Sequence, residues 1–256
     1  MSCLLLPSMA LSRNRPEDFW KEHGNDRLEE AAAELRAGRP ILLFDDPGRE
    51  GETDIVMLAE KVRSEDVREM RAIAGGLLCV TTPYEIALQL GLGYQHDLLR
   101  ELAPSHAILG DLLPESLPYD RRSSFGLWVN ARGTFTGVTD ADRALTISSI
   151  GRFVREAPGT SPAILRKRFC EGFHVPGHVP LLHAATGLLS ERKGHTELST
   201  AIAQMGNLTP SLALMEMLGD DGRALPREGA QREARNRGWA FVEGRQVLQT
   251  WSRWSV

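Results

Sequence analysis

Cysteine is scarce in this chain: three residues in 256, at positions 3, 79 and 170, with no Cys-x-x-Cys pair. An odd number of cysteines this far apart supports neither a disulfide framework nor a thiolate zinc site. A reducing cytoplasm suits such usage best. Long apolar runs are also missing, and nothing approaches the length of a membrane-spanning helix. There is no excess of positive charge either. Thirty basic residues stand against 34 acidic ones, a formal charge of -4, so neither nucleic acid nor an anionic membrane is favoured as a partner. The apolar stretch Cys3–Leu6 is broken by Pro7 and preceded by no basic residue, unlike a secretory signal. Residues 1–24 read as a loosely ordered extension on which Phe19 and Trp20 offer docking groups. With 42% hydrophobic and 25% charged residues, the remainder, 25–256, is ordinary soluble globular sequence and reads as one domain.

Helical and strand patterns interleave along it without strict alternation. Asp26 can N-cap a helix over 27–37 that Gly38 closes. Ile41-Leu42-Leu43-Phe44 reads as a buried strand and Ile55–Ala59 as another. Ser64 can start a helix running to Gly75-Gly76. Leu77–Thr81 reads as a strand, and Pro83 sits well at the first turn of a short helix ending at Gly91. Residues 93–122 have little pattern and three prolines, so a long connection with room for a short helix is expected. Phe125–Val129 suggests a strand, and Thr139 opens a helix to about Ile150. Helices are expected over 196–205 and 228–237, with a strand over 239–242. Leu212–Leu218 suits either state. The pattern implies a mixed-sheet, layered α/β (α+β) fold.

The densest charge lies directly after the first strand. Asp45-Asp46-Pro47-Gly48-Arg49-Glu50-Gly51-Glu52-Thr53-Asp54 holds five carboxylates and one arginine. Such crowding is tolerated in a well-solvated loop, or where a cation neutralises it. A second group is Arg192-Lys193-Gly194-His195-Thr196-Glu197 at an expected helix start. Free N–H groups, two cations, the Thr196 hydroxyl and a glycine that admits close approach all suit phosphate. The plainer alternative is a helix capped by Thr196, with His195 as polar surface. Pro176-Gly177-His178-Val179-Pro180 holds a histidine in what reads as a rigid turn, as a general acid or base or merely as structure. Thr134-Phe135-Thr136-Gly137-Val138-Thr139-Asp140-Ala141-Asp142-Arg143 offers hydroxyls to a sugar phosphate or ordinary capping to a helix. Glu216 lies among apolar residues, an environment that favours the protonated form of a carboxyl, and Asp221-Gly222 after it suits a tight turn.

Taken in order, these motifs, with Gly75-Gly76-Leu77-Leu78-Cys79 and Ser123-Ser124-Phe125 between them, resemble the 3,4-dihydroxy-2-butanone 4-phosphate synthase family over roughly residues 26–248. The Arg-Glu-Gly-Glu-Thr-Asp and Thr-Phe-Thr-Gly versions resemble its archaeal-type branch. The resemblance implies a lyase of riboflavin biosynthesis. It would convert D-ribulose 5-phosphate to L-3,4-dihydroxy-2-butanone 4-phosphate and formate with Mg2+ or Mn2+, two ions per active site, and no organic cofactor. It implies a cytoplasmic homodimer with active sites near the subunit interface. It also implies Glu50 and His195 as metal ligands, and His178, Glu216 and Glu52 as proton-transfer groups. Substrate contacts would come from Arg49, Glu50, Asp54, Arg192, Lys193, Gly194, His195, Thr196 and Glu216, with Cys79, Thr134 and Thr139 lining the site. Two positions depart from the family pattern: His183, where arginine is common, and Val175, where a polar or basic residue is. They leave open a paralogue acting on another sugar phosphate, and beside it a non-catalytic relative. The chain is too short for a fused GTP cyclohydrolase II domain and lacks its cysteine ligands, so a monofunctional protein is expected.

Overall fold

A computed structural model describes residues 26–255; the expected extension, with Phe19 and Trp20, lies outside them. In chain order the elements are α1 (Asp26–Arg36), β1 (Ile41–Phe44), β2 (Thr53–Leu58), α2 (Ser64–Ile73), β3 (Cys79–Pro83), α3 (Tyr84–Leu90), α4 (Gln95–Leu102), α5 (Ala107–Leu112), β4 (Phe125–Ala131), α6 (Asp140–Glu156), α7 (Pro162–Gly172), β5 (Phe173–Ala184), α8 (His195–Met205), β6 (Leu212–Glu216), α9 (Arg227–Arg237), β7 (Phe241–Glu243) and α10 (Gly244–Trp254). One mixed sheet runs β4-β5-β3-β6-β2-β1-β7. Among the described residues, only the pairs β1–β7 and β3–β5 are parallel.

Strand side chains alternate between two cores. Leu42, Ile55 and Met57 face one, packed with residues of α2, α6 and α9. Ile41, Leu43, Val56 and Leu58 face the other, with α1, α8 and α10. The central strands are therefore buried on both faces, which is why β1 and β2 read as nearly unbroken apolar runs. Helices on both sides give a three-layer α/β/α arrangement, the mixed layered fold that the interleaved pattern implies.

Several local expectations are revised. The stretch Pro176–Pro180 is not a turn: it lies inside the twelve-residue strand β5, whose pairing with β4 shifts register between Val129 and Asn130. Gly177 permits this course, because a Cβ there would stand 1.9 Å from the Val129 carbonyl carbon on β4. Two short helices, not one, occupy the 93–122 connection. The C-terminal tail is the helix α10, whose Trp251 and Trp254 rings lie 4.8 Å apart and pack beside the second core. Thr139 caps α6 as expected, its hydroxyl accepting from the Asp142 N–H at 3.1 Å.

Candidate active site

The acidic loop joins β1 to its antiparallel neighbour β2, and Asp45 organises it. Asp45 is buried, and its two oxygens accept from the N–H groups of Glu52 (3.0 Å) and Glu50 (3.1 Å) and from Arg49 Nη1 (3.3 Å). Gly51 takes a left-handed φ of +70°, which lets the chain turn back into β2. Thr53 and Asp54, at the far end of the charged stretch, already belong to β2. Asp54 lies opposite Glu216 on β6, so sheet pairing brings a further carboxylate, beyond the five of the loop stretch, to the same end.

The start of α8 arrives here from far along the chain, His195 standing 145 positions after Glu50. His195 is buried rather than surface-exposed, because α8 packs its first turn against the loop. Its Nδ1 stands 3.4 Å from Glu50, and its Nε2 lies 3.2 Å from the Glu52 carbonyl oxygen and 3.8 Å from Asp54. One ligating atom each of Asp45, Glu50 and His195 lies within 4.8 Å of the others. Asp54 Oδ1 is buried without a hydrogen-bond partner. Oxygen and imidazole donors gathered around an unsatisfied buried carboxylate oxygen suit a hard divalent cation. Glu50 and His195 are the freest to hold one, since Asp45 is committed to the loop's own N–H groups.

The electrostatics follow from this crowding. Burial disfavours charge on Glu50, but His195 and Arg49 outweigh it and hold the carboxyl down at about 2. Burial pushes Asp54 up to about 7, with Glu216, Glu50 and Glu52 adding to the effect against the pull of His195. Burial and the neighbouring Glu50 and Glu216 also raise Glu52. Burial would lower His195, yet Asp54, Glu50 and Asp45 carry it up to about 9. A metal-free site therefore keeps an imidazolium where a cation fits.

Two arginines form the opposite wall. Arg49 pairs with Glu50 at 2.6 Å, and Arg192 with the fully buried Glu197 at 2.6 Å. Both meet Asp120, at 3.3 and 2.5 Å. Gly194 makes this possible: a Cβ there would lie 2.4 Å from Arg192 Nη1 and 2.8 Å from Arg49 Nη2. Gly194, not Thr196, is the residue preceding the helix. Thr196 sits in the first turn, buried, its hydroxyl 3.4 Å from Ser124 Oγ. Lys193 is exposed. On the other side, Glu216 accepts from the Leu77 N–H at 2.7 Å. Cys79 is buried nearby, and burial with the charges of Glu216 and Asp54 pushes its thiol well up.

The chain thus assembles Arg49, Glu50, Glu52, Asp54, Cys79, Arg192, Gly194, His195, Thr196 and Glu216 around one end of the sheet. No hydrogen bond or ion pair among the described residues ties His178, Thr134 or Thr139 to that cluster. Instead the Asn130 side chain accepts from the His178 N–H (2.8 Å) and meets His178 Nδ1 (3.1 Å). The first contact fixes the amide orientation, so the second is N–H donation to Nδ1, and a neutral ring carries its proton on Nε2. Thr134 donates to the Ala131 carbonyl. Asp120, Tyr119, Glu197 and Asn130 were given no role from sequence. Asp120 and Tyr119 fall in the patternless 93–122 stretch, and the other two gain meaning only from their partners.

A carboxylate–imidazole cluster for a hard cation beside an arginine pair, mounted on a three-layer mixed sheet, defines a class of metal-assisted enzymes for anionic substrates. The comparisons narrow that class. The sequence profile of the 3,4-dihydroxy-2-butanone 4-phosphate synthases matches residues 29–250. A synthase of that name from Methanosarcina mazei is 42% identical over 237 residues, 91% of this chain and 94% of the relative. The Candida albicans 3,4-dihydroxy-2-butanone 4-phosphate synthase is 26% identical, with a TM-score of 0.64 over 87% of this chain and 95% of its own. A further synthase, solved with two magnesium ions, shares the fold at 24% identity and a TM-score of 0.64, over 84% of this chain and 91% of its own. The chain belongs to the 3,4-dihydroxy-2-butanone 4-phosphate synthase family.

Proposed function

We propose that the protein converts D-ribulose 5-phosphate to L-3,4-dihydroxy-2-butanone 4-phosphate and formate in riboflavin biosynthesis. The observation that carries this reading is the meeting of Glu50 and His195, 145 positions apart, beside Arg49 and Arg192. The reaction removes protons next to a carbonyl, loses water, rearranges the carbon skeleton and releases one carbon by hydrolysis. Glu50 and His195 would hold a divalent ion, Mg2+ or Mn2+, two per site on this reading, and it would supply Lewis-acid stabilisation to oxygens that gain charge; a relative solved with two magnesium ions supports the choice of cation.

The chain's own groups do the rest. Arg49, Arg192 and the N–H groups at the α8 start take the phosphate end, and Asp54 orients hydroxyls. Glu52, raised by its surroundings, and Glu216, held by the Leu77 N–H, move protons near the sugar. His178 offers an Nε2 proton, but its described hydrogen bonds go to Asn130 and not to the cluster. Close by, Val175 (52%) on the same strand is exposed, as are Phe135 (98%) and Val138 (54%) of the loop whose Gly137 abuts Asn130. An apolar patch around a candidate acid fits burial against a second copy of the chain, whose site His178 would then complete. The working unit is accordingly a homodimer, and its compartment the cytoplasm. No described helix is long and apolar enough to cross a membrane.

His183 does not favour a different substrate. It is buried against Thr82 (2.8 Å), Tyr84 and Tyr94, and Gly126 leaves room for its ring. His178→Ser and Glu216→Ala are each expected to lower formate production at least about 100-fold with thermal stability retained. Wild-type rates in both variants would remove these two residues from the mechanism.

A further inference from the structure

Arg192 carries two carboxylates of different standing. Glu197 is fully buried on α8, and its second oxygen accepts from the Ala185 N–H at 3.0 Å, so it is fixed from both sides. Asp120 belongs to the connection between α5 and β4. Its carboxylate retains 15% exposure, and its loop is closed by the short turn in which Leu117 N–H donates to the Asp120 carbonyl at 2.8 Å. The helices α4 and α5 that precede this loop bury no residue. One oxygen of Asp120 accepts from the Arg121 N–H at 2.8 Å, and the other takes both Arg192 Nε (2.5 Å) and Arg49 Nη2 (3.3 Å). The Tyr119 ring lies 5.3 Å from the Arg49 guanidinium on the same side. Asp120 thus occupies the point where the two arginines converge over Gly194.

We propose that Asp120 is an exchangeable counter-ion of the anion-binding end: a stand-in that keeps the two guanidinium groups oriented, and that the phosphate of an incoming substrate displaces. The inference rests on the functional reading above, which assigns these arginines to phosphate. The physical case is one of charge. Around Arg49, Arg192 and His195 stand Asp45, Glu50, Glu52, Asp54, Asp120 and Glu197, so a doubly charged phosphate meets a site already rich in anions. A carboxylate that leaves the two arginines lowers that repulsion and frees their donors. Glu197 is locked, Asp45 is spent on the acidic loop, and Glu50 is paired with His195. Asp120 alone sits on a segment with little burial to hold it. When it swings away, Arg192 stays aimed by Glu197, and its Nε and the Arg49 Nη2 are freed together for two phosphate oxygens.

The test uses the full chain and inorganic phosphate, followed by calorimetry at fixed magnesium. Asp120→Asn keeps an acceptor for the Arg121 N–H but removes the competing charge. It is expected to bind phosphate about tenfold more tightly than wild type, about 1.4 kcal/mol, and Asp120→Ala is expected to follow. In the unmutated chain, saturating phosphate is expected to speed amide hydrogen exchange over residues 117–122, a readout that survives if the variants fail to fold. Unchanged or weaker phosphate binding in a folded variant would overturn the proposal. So would increased protection of 117–122 in wild type, because either result makes Asp120 a partner in the phosphate site rather than its occupant. Neither measurement uses ribulose 5-phosphate, so a chain that binds phosphate as expected but releases no formate would refute the proposed activity and leave this inference standing.

Discussion

At the scale of single residues, the site is a contest between burial and charge. His195 shows it most directly. Its carboxylate neighbours raise it to about 9, so near pH 7 it is protonated, whereas a metal ligand must be a neutral imidazole. Metal binding at pH 7 is therefore expected to release about one proton per His195, and apparent affinity to rise with pH up to about 9. Calorimetry in buffers of different ionisation enthalpy measures this directly, and proton uptake on binding would contradict it. His183 is the opposite case. Burial lowers it from 6.5 to about 4. The unfolded chain takes up a proton as pH falls through 6.5 while the folded chain does not, so the stability this group contributes above pH 6.5 is lost as pH falls towards 4. The loss amounts to about 3 kcal/mol. His183→Gln is expected to flatten stability between pH 6.5 and 4 in urea titrations; a slope identical to wild type would show that other groups set it. Residue identity was legible where charge is dense in sequence, as in the acidic loop. It was illegible where a role depends on a partner: Glu197 matters because Arg192 lies against it, and nothing in the order of residues announces that pairing.

At the scale of elements, short-range signals carried most of what was readable. Gly38, Gly91 and Gly238 end helices with left-handed φ of +77°, +72° and +68°, and β1 matches its apolar run residue for residue. The elements that escaped notice lack such punctuation. β5 contains two prolines, and between the buried Phe173 and Val179 no side chain is buried, so this half shows no apolar alternation and reads as a turn. α10 follows β7 with no loop between them, starting at Gly244 directly after Glu243, so no break in the chain announces it. Close packing also overrides propensity. Gly151, inside α6, faces the single 3-10 turn after β2, and a Cβ would stand 2.3 Å from the Glu60 nitrogen. Alanine is the better helix former, yet Gly151→Ala is expected to destabilise by about 1–3 kcal/mol because neither backbone can yield. Urea unfolding checks this, and a variant as stable as wild type would mean that α6 shifts freely on the sheet.

At the scale of the whole molecule, sheet order makes the site. The β1–β2 connection, the end of β6 and the start of α8 converge because β6 lies beside β2 and α8 covers the same face as β1. None of this is local in sequence, so the order of motifs suggested the family while the topology had to supply the geometry. Within the subunit, the described hydrogen bonds of His178 go to Asn130, not to Glu50. If a second copy closes the site, mixing an inactive Glu50→Gln dimer with an inactive His178→Ser dimer, followed by subunit exchange, is expected to restore about a quarter to a half of wild-type activity per dimer. No recovery after demonstrated exchange would confine each site to one chain. The central claim is that this constellation cleaves one carbon from a phosphorylated pentulose only with a divalent cation present. NMR of the folded protein with D-ribulose 5-phosphate tests it most directly. Formate and the four-carbon phosphate are expected in equal amounts with magnesium, and neither after chelation. Folded, magnesium-replete protein that leaves the substrate intact would contradict the account.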